Sequence, residues 1–147
     1  MEEINNLSQH KNQKPQVFKV FLILSMLYGG LSVFSNFVVY GSIDFIRQTF
    51  EGKDKISFMG MDLDLSLFMN IDKNFFLFQS ILYLFSFGGA LYMWKGHKFG
   101  FHFYTASQIL LLIISTIFLT GMPFPIFDIL LTAIFIYVYA KNLRTLK

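Results

Sequence analysis

The sequence predicts an all-α membrane protein, a four-transmembrane-helix bundle with a short extracytoplasmic loop. Of its 147 residues, 54% are hydrophobic and only 14% are charged, whereas a soluble domain usually carries about 25% charged residues. The charged residues are also separated by long uncharged runs. Because backbone polar groups must bond internally in hydrocarbon, runs of this kind are expected to be helices.

The uncharged runs place the four helices. Residues 20–43 form a run of 24 and residues 74–94 a run of 21, each enough to cross roughly 30 Å of hydrocarbon at about 1.5 Å per residue. The run 99–127 holds 29 uncharged residues, which is too long for one span, and Gly-Met-Pro-Phe-Pro at 121–125 interrupts it. The predicted spans are about 20–41, 74–94, 99–120 and 124–140.

The loop 42–73 is the largest predicted segment between two spans. Residues 42–51 place three apolar side chains on one helical face, which favours a short interfacial helix on the membrane or capping the bundle. Residues 61–67 alternate apolar and polar, and with 55–59 before them they predict a small β-hairpin.

The Lys and Arg residues predict the orientation. Trp-Lys-Gly-His-Lys at 94–98 joins spans two and three, and placing this turn in the cytoplasm brings eight of the twelve basic residues to that side. The loop 42–73 then lies outside with four basic and six acidic residues. The positive-inside rule therefore predicts both termini in the cytoplasm, with residues 1–16 as a flexible cytoplasmic tail before a transmembrane domain at 17–147.

Residues of the basic turn are candidate inner-face anchors. We expect Trp94, Lys95, His97 and Lys98 to orient the bundle or to bind anionic lipid headgroups. Tyr139 is likewise expected among the aromatic rings at the inner interface.

Two glycine pairs are candidate helix-packing positions. Gly29 and Gly30 in span one and Gly88 and Gly89 in span two fall near mid-membrane. Small residues let helix backbones approach closely, so we predict that spans one and two touch there. The alternative is that these glycines are incidental.

Three polar residues near the outer ends of the spans form a candidate cluster. Asp128 is the sole acid within an apolar run, and Asn36 and Gln79 lie at a similar depth. Together they would hold a proton, a cation or a basic residue of a partner. The alternative interpretation is that Asp128 only stabilises the positive end of a helix dipole.

The sequence contains no recognisable catalytic or cofactor constellation. It has no Cys, which excludes disulfides and thiolate metal sites. His102 is the single His within a span, whereas a b-type haem needs two axial ligands, so we expect no haem, no metal and no other cofactor. We also expect no enzymatic activity and no nucleic-acid binding.

The run 91–104 resembles the central turn of a family of small, uncharacterised four-span inner-membrane proteins from Bacteroidota. The shared features are Met-Trp, the basic turn, Gly-Phe and a following Tyr. This resemblance implies a multi-pass protein of the bacterial cytoplasmic (inner) membrane and carries no activity with it.

Three function hypotheses follow, of which the sequence favours the first, because polar residues are sparse in the spans and Phe is abundant. The first is a non-catalytic accessory or scaffold subunit that binds partner membrane proteins or a second copy of itself within the lipid bilayer. The second is a small oligomeric transporter or channel component using Asp128, Asn36 and Gln79. The third is a lipid-active membrane enzyme. Dry packing would favour the scaffold, and a cavity with a polar face would favour the transporter.

Overall fold

The chain is an all-α, multi-pass membrane protein, as the uncharged runs predict. A computed structural model describes residues 15–50, 55–58, 61–64, 70–119 and 126–147, with backbone alone for 55–58 and 61–64. Four helices in these ranges are long and apolar enough to cross a membrane. They are α1 (Gln16–Thr49), α2 (Lys73–Lys95), α3 (Phe99–Phe118) and α4 (Ile126–Asn142). The fourth span includes the 3-10 turn (Leu143–Thr145) that follows α4.

Helix α1 is longer than the predicted span. It runs for 34 residues without interruption, about 50 Å at 1.5 Å per residue. The separate interfacial helix predicted at 42–51 is therefore wrong, because the helix continues through Gly41 to Thr49. Its apolar face turns toward the bundle, where Ile43 is fully buried against Phe75 and Phe76 of α2.

The loop contains the β-hairpin that the alternating pattern predicts. Strands β1 (Lys55–Phe58) and β2 (Met61–Asp64) pair antiparallel, with Lys55 opposite Asp64 and Phe58 opposite Met61. The rest of the predicted second strand, 65–67, lies outside the described residues, as do the tail at 1–14 and the break at 120–125. We call the end of the bundle where α1 ends and α2 begins the hairpin end.

The opposite end, which we call the turn end, is defined by residues 96–98 between α2 and α3. Gly96 ends α2 with a φ of 100°, a left-handed conformation that glycine adopts without steric cost. The backbone N–H of His97 donates to the Tyr92 carbonyl over 3.0 Å, as in a Schellman motif. The backbone of Lys147 pairs with this turn. Its N–H donates to the Gly96 carbonyl over 2.6 Å, and its carbonyl accepts from the backbone N–H of Lys98 over 2.9 Å.

Helices α1 and α2 pack closely through Gly29. A Cβ at Gly29 would lie 3.4 Å from the Phe87 Cβ of α2, and one at Gly30 would lie 3.8 Å from the Phe87 ring. Ser80 of α2 also donates to the Val33 carbonyl of α1 over 3.1 Å. The two helices therefore touch at the first predicted glycine pair.

The second glycine pair has a different role from the predicted one. Gly89 faces α3 rather than α1: a Cβ there would lie 2.7 Å from the backbone nitrogen of Tyr104 and 2.8 Å from the carbonyl oxygen of Gly100. A Cβ at Gly88 would meet nothing within 4 Å, so Gly88 is not a packing position. Adjacent helical residues point about 100° apart, which is why only one member of the pair reaches the neighbouring helix.

Helix α4 packs mainly against α1 and α3, near the turn end. Tyr139, 0% exposed, is its one buried residue, and it packs in a cluster with Phe18, Leu22 and Tyr104. The ring of Tyr139 is therefore buried between α1 and α3 and does not lie on the outer surface of the bundle. At the hairpin end the core cluster draws on the first three helices and contains no α4 residue, and Phe127 of α4 is 74% exposed there.

Candidate functional site

The partial attachment of α4 leaves a partly open cavity of about 1200 Å³ between α4 and the other three helices. We call this space the α4 cavity. Small-molecule sites usually enclose about 300–1,000 Å³, so this space is large enough for a sizeable ligand. The cavity extends from the level of Ser25, near the turn end, to the first turn of α4 at the hairpin end.

A cluster of buried hydroxyl groups lies at the turn-end limit of the cavity. Ser25 Oγ of α1 lies 2.5 Å from the Tyr139 hydroxyl of α4 and donates to the Tyr104 hydroxyl of α3 over 3.3 Å. Tyr139 also donates to the Phe21 carbonyl over 2.8 Å. These contacts join three helices at one point and hold α4 against the bundle.

Two reciprocal Gln–Ser pairs join α2 and α3 along the cavity. The Gln79 amide of α2 donates to Ser115 of α3 over 3.3 Å, and the Gln108 amide of α3 donates to Ser86 of α2 over 2.8 Å. On each helix, the Gln and the Ser that take part in these pairs are seven residues apart, about two turns, so they lie on one face of the helix. Both glutamines and Ser115 line the cavity and give it a polar side.

Two tyrosines link α1 and α2 beside the glutamines. The Tyr28 and Tyr83 hydroxyls lie 3.3 Å apart, and their rings meet edge to face with centroids 5.7 Å apart. Both residues line the cavity. Tyr28 and Tyr83 therefore contribute aromatic surface as well as hydroxyl groups.

Asp128 supplies the charge of the cavity. It lies exposed in the first turn of α4, where the helix dipole favours a carboxylate, and it lines the cavity. It forms no ion pair with any basic side chain in the ranges that the structure describes.

The structure brings together two of the three predicted cluster residues. Gln79 and Asp128 line the same cavity. Asn36 is not among the residues that line it, and its side-chain amide donates to the Ser32 carbonyl of its own helix over 2.8 Å. The expectation of one three-residue cluster is therefore wrong for Asn36.

Sequence reasoning missed several lining residues, of which Gln108 is the most informative. A usable signal was present: Gln79 with Ser86, and Gln108 with Ser115, repeat the same seven-residue spacing in two adjacent helices. In antiparallel neighbours such a repeat predicts reciprocal pairing across the interface.

The predicted inner-face anchors lie together at the turn end. Trp94, Lys95, His97 and Lys98 are all exposed, a placement compatible with contacts to lipid headgroups. His102 is exposed as well, with its ring 5.6 Å from that of Phe101. No group of three or more His, Asp or Glu side chains in the described part of the chain is arranged to hold a metal ion.

No protein-family model matches this chain, and neither a curated protein nor a solved structure matches it. The fold and the cavity therefore carry the functional inference by themselves.

Proposed function

We propose that this chain is a non-catalytic membrane protein that binds a small amphipathic molecule in the α4 cavity, as a small transporter or channel component. The observation that carries the proposal is the cavity itself, about 1200 Å³ between helices that are long and apolar enough to cross a membrane. The glutamine side chains give it a polar face, and leucine and phenylalanine side chains give it apolar walls. An amphipathic molecule matches both surfaces.

The proposed setting is the bacterial cytoplasmic membrane with both termini in the cytoplasm, in accordance with the distribution of Lys and Arg. In this orientation the hairpin end and Asp128 face outward. The cavity would then take its ligand from the outer leaflet or from the external medium.

A scaffold function is the second candidate. It is favoured by the exposed apolar side chains on α1 and α4, including Phe34, Phe37 and Phe127. A transmembrane helix of a partner, or of a second copy, would occupy the same gap between α1 and α4. The cavity favours ligand binding, because a dedicated scaffold gains most from close helix packing.

Filling the cavity tests the proposal. We expect Thr132→Trp to abolish ligand binding, because Thr132 lines the cavity and an indole would occupy it. Ala133→Trp is the matched control, since Ala133 is exposed and does not line the cavity. The measurement is the shift in thermal unfolding temperature in mild detergent across a panel of cationic, neutral and anionic amphiphiles, because a ligand that binds the folded state raises that temperature.

Selective loss of the shift is the result expected. At least one compound should stabilise the unmodified protein and Ala133→Trp but leave Thr132→Trp unchanged. Equal behaviour of the three proteins across the whole panel would contradict ligand binding in this cavity. Co-purification of a membrane protein that Thr132→Trp displaces would replace the proposal with the scaffold function.

A further inference from the structure

We infer that the ligand of the α4 cavity is a lipophilic organic cation, whose charge lies beside Asp128 and whose apolar body lies among aromatic rings. This inference rests on the proposed function, because it names the chemical class of the molecule that the cavity takes. Three properties of the cavity support it: the sign of its charge, its aromatic surface and the small number of its uncommitted polar groups.

The charge of the cavity is negative. Asp128 is the only charged side chain among the described residues that line it, and no Lys, Arg or His lies beside it there. A carboxylate without a neighbouring cation attracts a positive ligand and repels an anion.

The walls of the cavity are partly aromatic. Six aromatic residues line the cavity, distributed over all four helices: Phe21, Tyr28, Tyr83, Tyr104, Phe127 and Phe135. The face of an aromatic ring attracts a cation, by about 0.5 to 2 kcal/mol per contact depending on desolvation. The same rings bury the apolar substituents of an organic cation.

Strongly polar ligands fit this cavity poorly. Gln79 and Gln108 already bond to serines, and Ser25 and Tyr104 bond to each other, so much of the polar capacity is engaged within the protein. A sugar or a peptide would leave many of its own polar groups unpaired.

Small inorganic cations fit poorly as well. Calcium, for example, takes six to eight oxygen ligands, whereas Asp128 is the one carboxylate that the described lining residues provide. An organic cation needs no such coordination shell. Its charge is spread over a larger surface, and one carboxylate with aromatic faces suffices.

The test uses two probes of the same shape and opposite charge, tetraphenylphosphonium and tetraphenylborate. Their binding to the purified full-length protein is measured by equilibrium dialysis in mild detergent, after subtraction of binding to protein-free micelles. We expect saturable binding of tetraphenylphosphonium and none of tetraphenylborate. Asp128→Asn should weaken phosphonium binding about tenfold, equivalent to about 1.4 kcal/mol.

Two further variants separate the inference from the proposed function. Asp44→Asn also removes one negative charge at the hairpin end, but Asp44 lies outside the cavity, where it contacts Lys73 and Arg47. The Asp44→Asn variant should therefore bind tetraphenylphosphonium like the unmodified protein. Thr132→Trp should abolish saturable binding. If Thr132→Trp binds like the unmodified protein, the cavity is not the site and the proposed function fails.

Other results would contradict a cationic ligand without contradicting the cavity as a binding site. Saturable binding that Thr132→Trp abolishes but that Asp128→Asn leaves unchanged would overturn the cationic class and leave the cavity as the site. Preferential binding of tetraphenylborate, or the same loss in Asp44→Asn as in Asp128→Asn, would also overturn it. Absence of saturable binding of either probe would overturn the cationic class.

Discussion

Replacing Gly89 with Ala is expected to destabilise the bundle by about 3 kcal/mol, at the upper end of typical overpacking costs. A Cβ at this position would lie 2.7 Å from the Tyr104 nitrogen and 2.8 Å from the Gly100 carbonyl oxygen. Because both obstacles are backbone atoms, no side-chain rotation relieves the clash, and α2 and α3 must separate. Unfolding in mixtures of mild detergent and sodium dodecyl sulfate, followed by circular dichroism, measures the loss.

The neighbouring glycine provides the matched control. A Cβ at Gly88 would have open space within 4 Å, so Gly88→Ala should be neutral or should stabilise the helix by up to about 1 kcal/mol. The same substitution at adjacent positions therefore has opposite or clearly unequal effects. Equal unfolding midpoints for the two variants would show that α2 and α3 do not cross at Gly89.

Replacing Tyr139 with Ala is expected to detach α4 from the bundle. The change removes a fully buried ring and its hydroxyl contacts to Ser25 and Phe21, and truncating a buried aromatic residue to Ala costs about 3–5 kcal/mol. Tyr139→Phe removes the hydroxyl alone and should cost roughly 1 kcal/mol, as for other hydrogen bonds between membrane helices.

The distance between α1 and α4 reports this detachment directly. The chain has no Cys, so spin labels attached at Leu27→Cys and Leu130→Cys give one defined pair for electron paramagnetic resonance. We expect a narrow distance distribution in the otherwise unmodified protein and a broad one with Tyr139→Ala. Tyr137→Ala, at a residue that is 66% exposed, should leave the distribution narrow. A narrow distribution with Tyr139→Ala would contradict the view that this residue holds α4.

The helices could be predicted from the sequence because membrane insertion depends on local properties. A run of uncharged residues long enough to cross hydrocarbon identifies a span whatever its neighbours are, so α2 and α3 lie within a few residues of their predicted bounds. The extension of α1 to Thr49 was missed because the charges after residue 43 resemble those of a surface segment. In the structure, the Arg47 guanidinium donates to the carbonyl oxygen of Ile71, just before α2, so the extension of α1 contacts the rest of the bundle.

The cavity could not be predicted in the same way, because it depends on how the four helices pack against one another. The positions of Gln79 and Asp128 within their predicted spans indicated a similar depth in the membrane, and both residues line the cavity in the structure. The depth of a residue does not determine the direction in which its side chain points from the helix. Asn36 was therefore grouped with them, although its side-chain amide donates to the Ser32 carbonyl. The same holds for Tyr139, because an aromatic residue near the end of a helix is compatible with both the membrane interface and the bundle core. In the structure, its hydroxyl contacts Ser25 of α1 in the core.

The most direct test of the α4 cavity compares two adjacent cysteines in the reconstituted protein. Thr132→Cys faces the cavity and Ala133→Cys does not. The reagents are two water-soluble methanethiosulfonates, one with a trimethylammonium group and one with a sulfonate group. We expect the thiol at 132 to be modified, faster by the cationic reagent, and the thiol at 133 to remain unmodified in the bilayer. Equal modification of both thiols, or failure of the thiol at 132 to react with either reagent, would contradict an accessible cavity beneath α4.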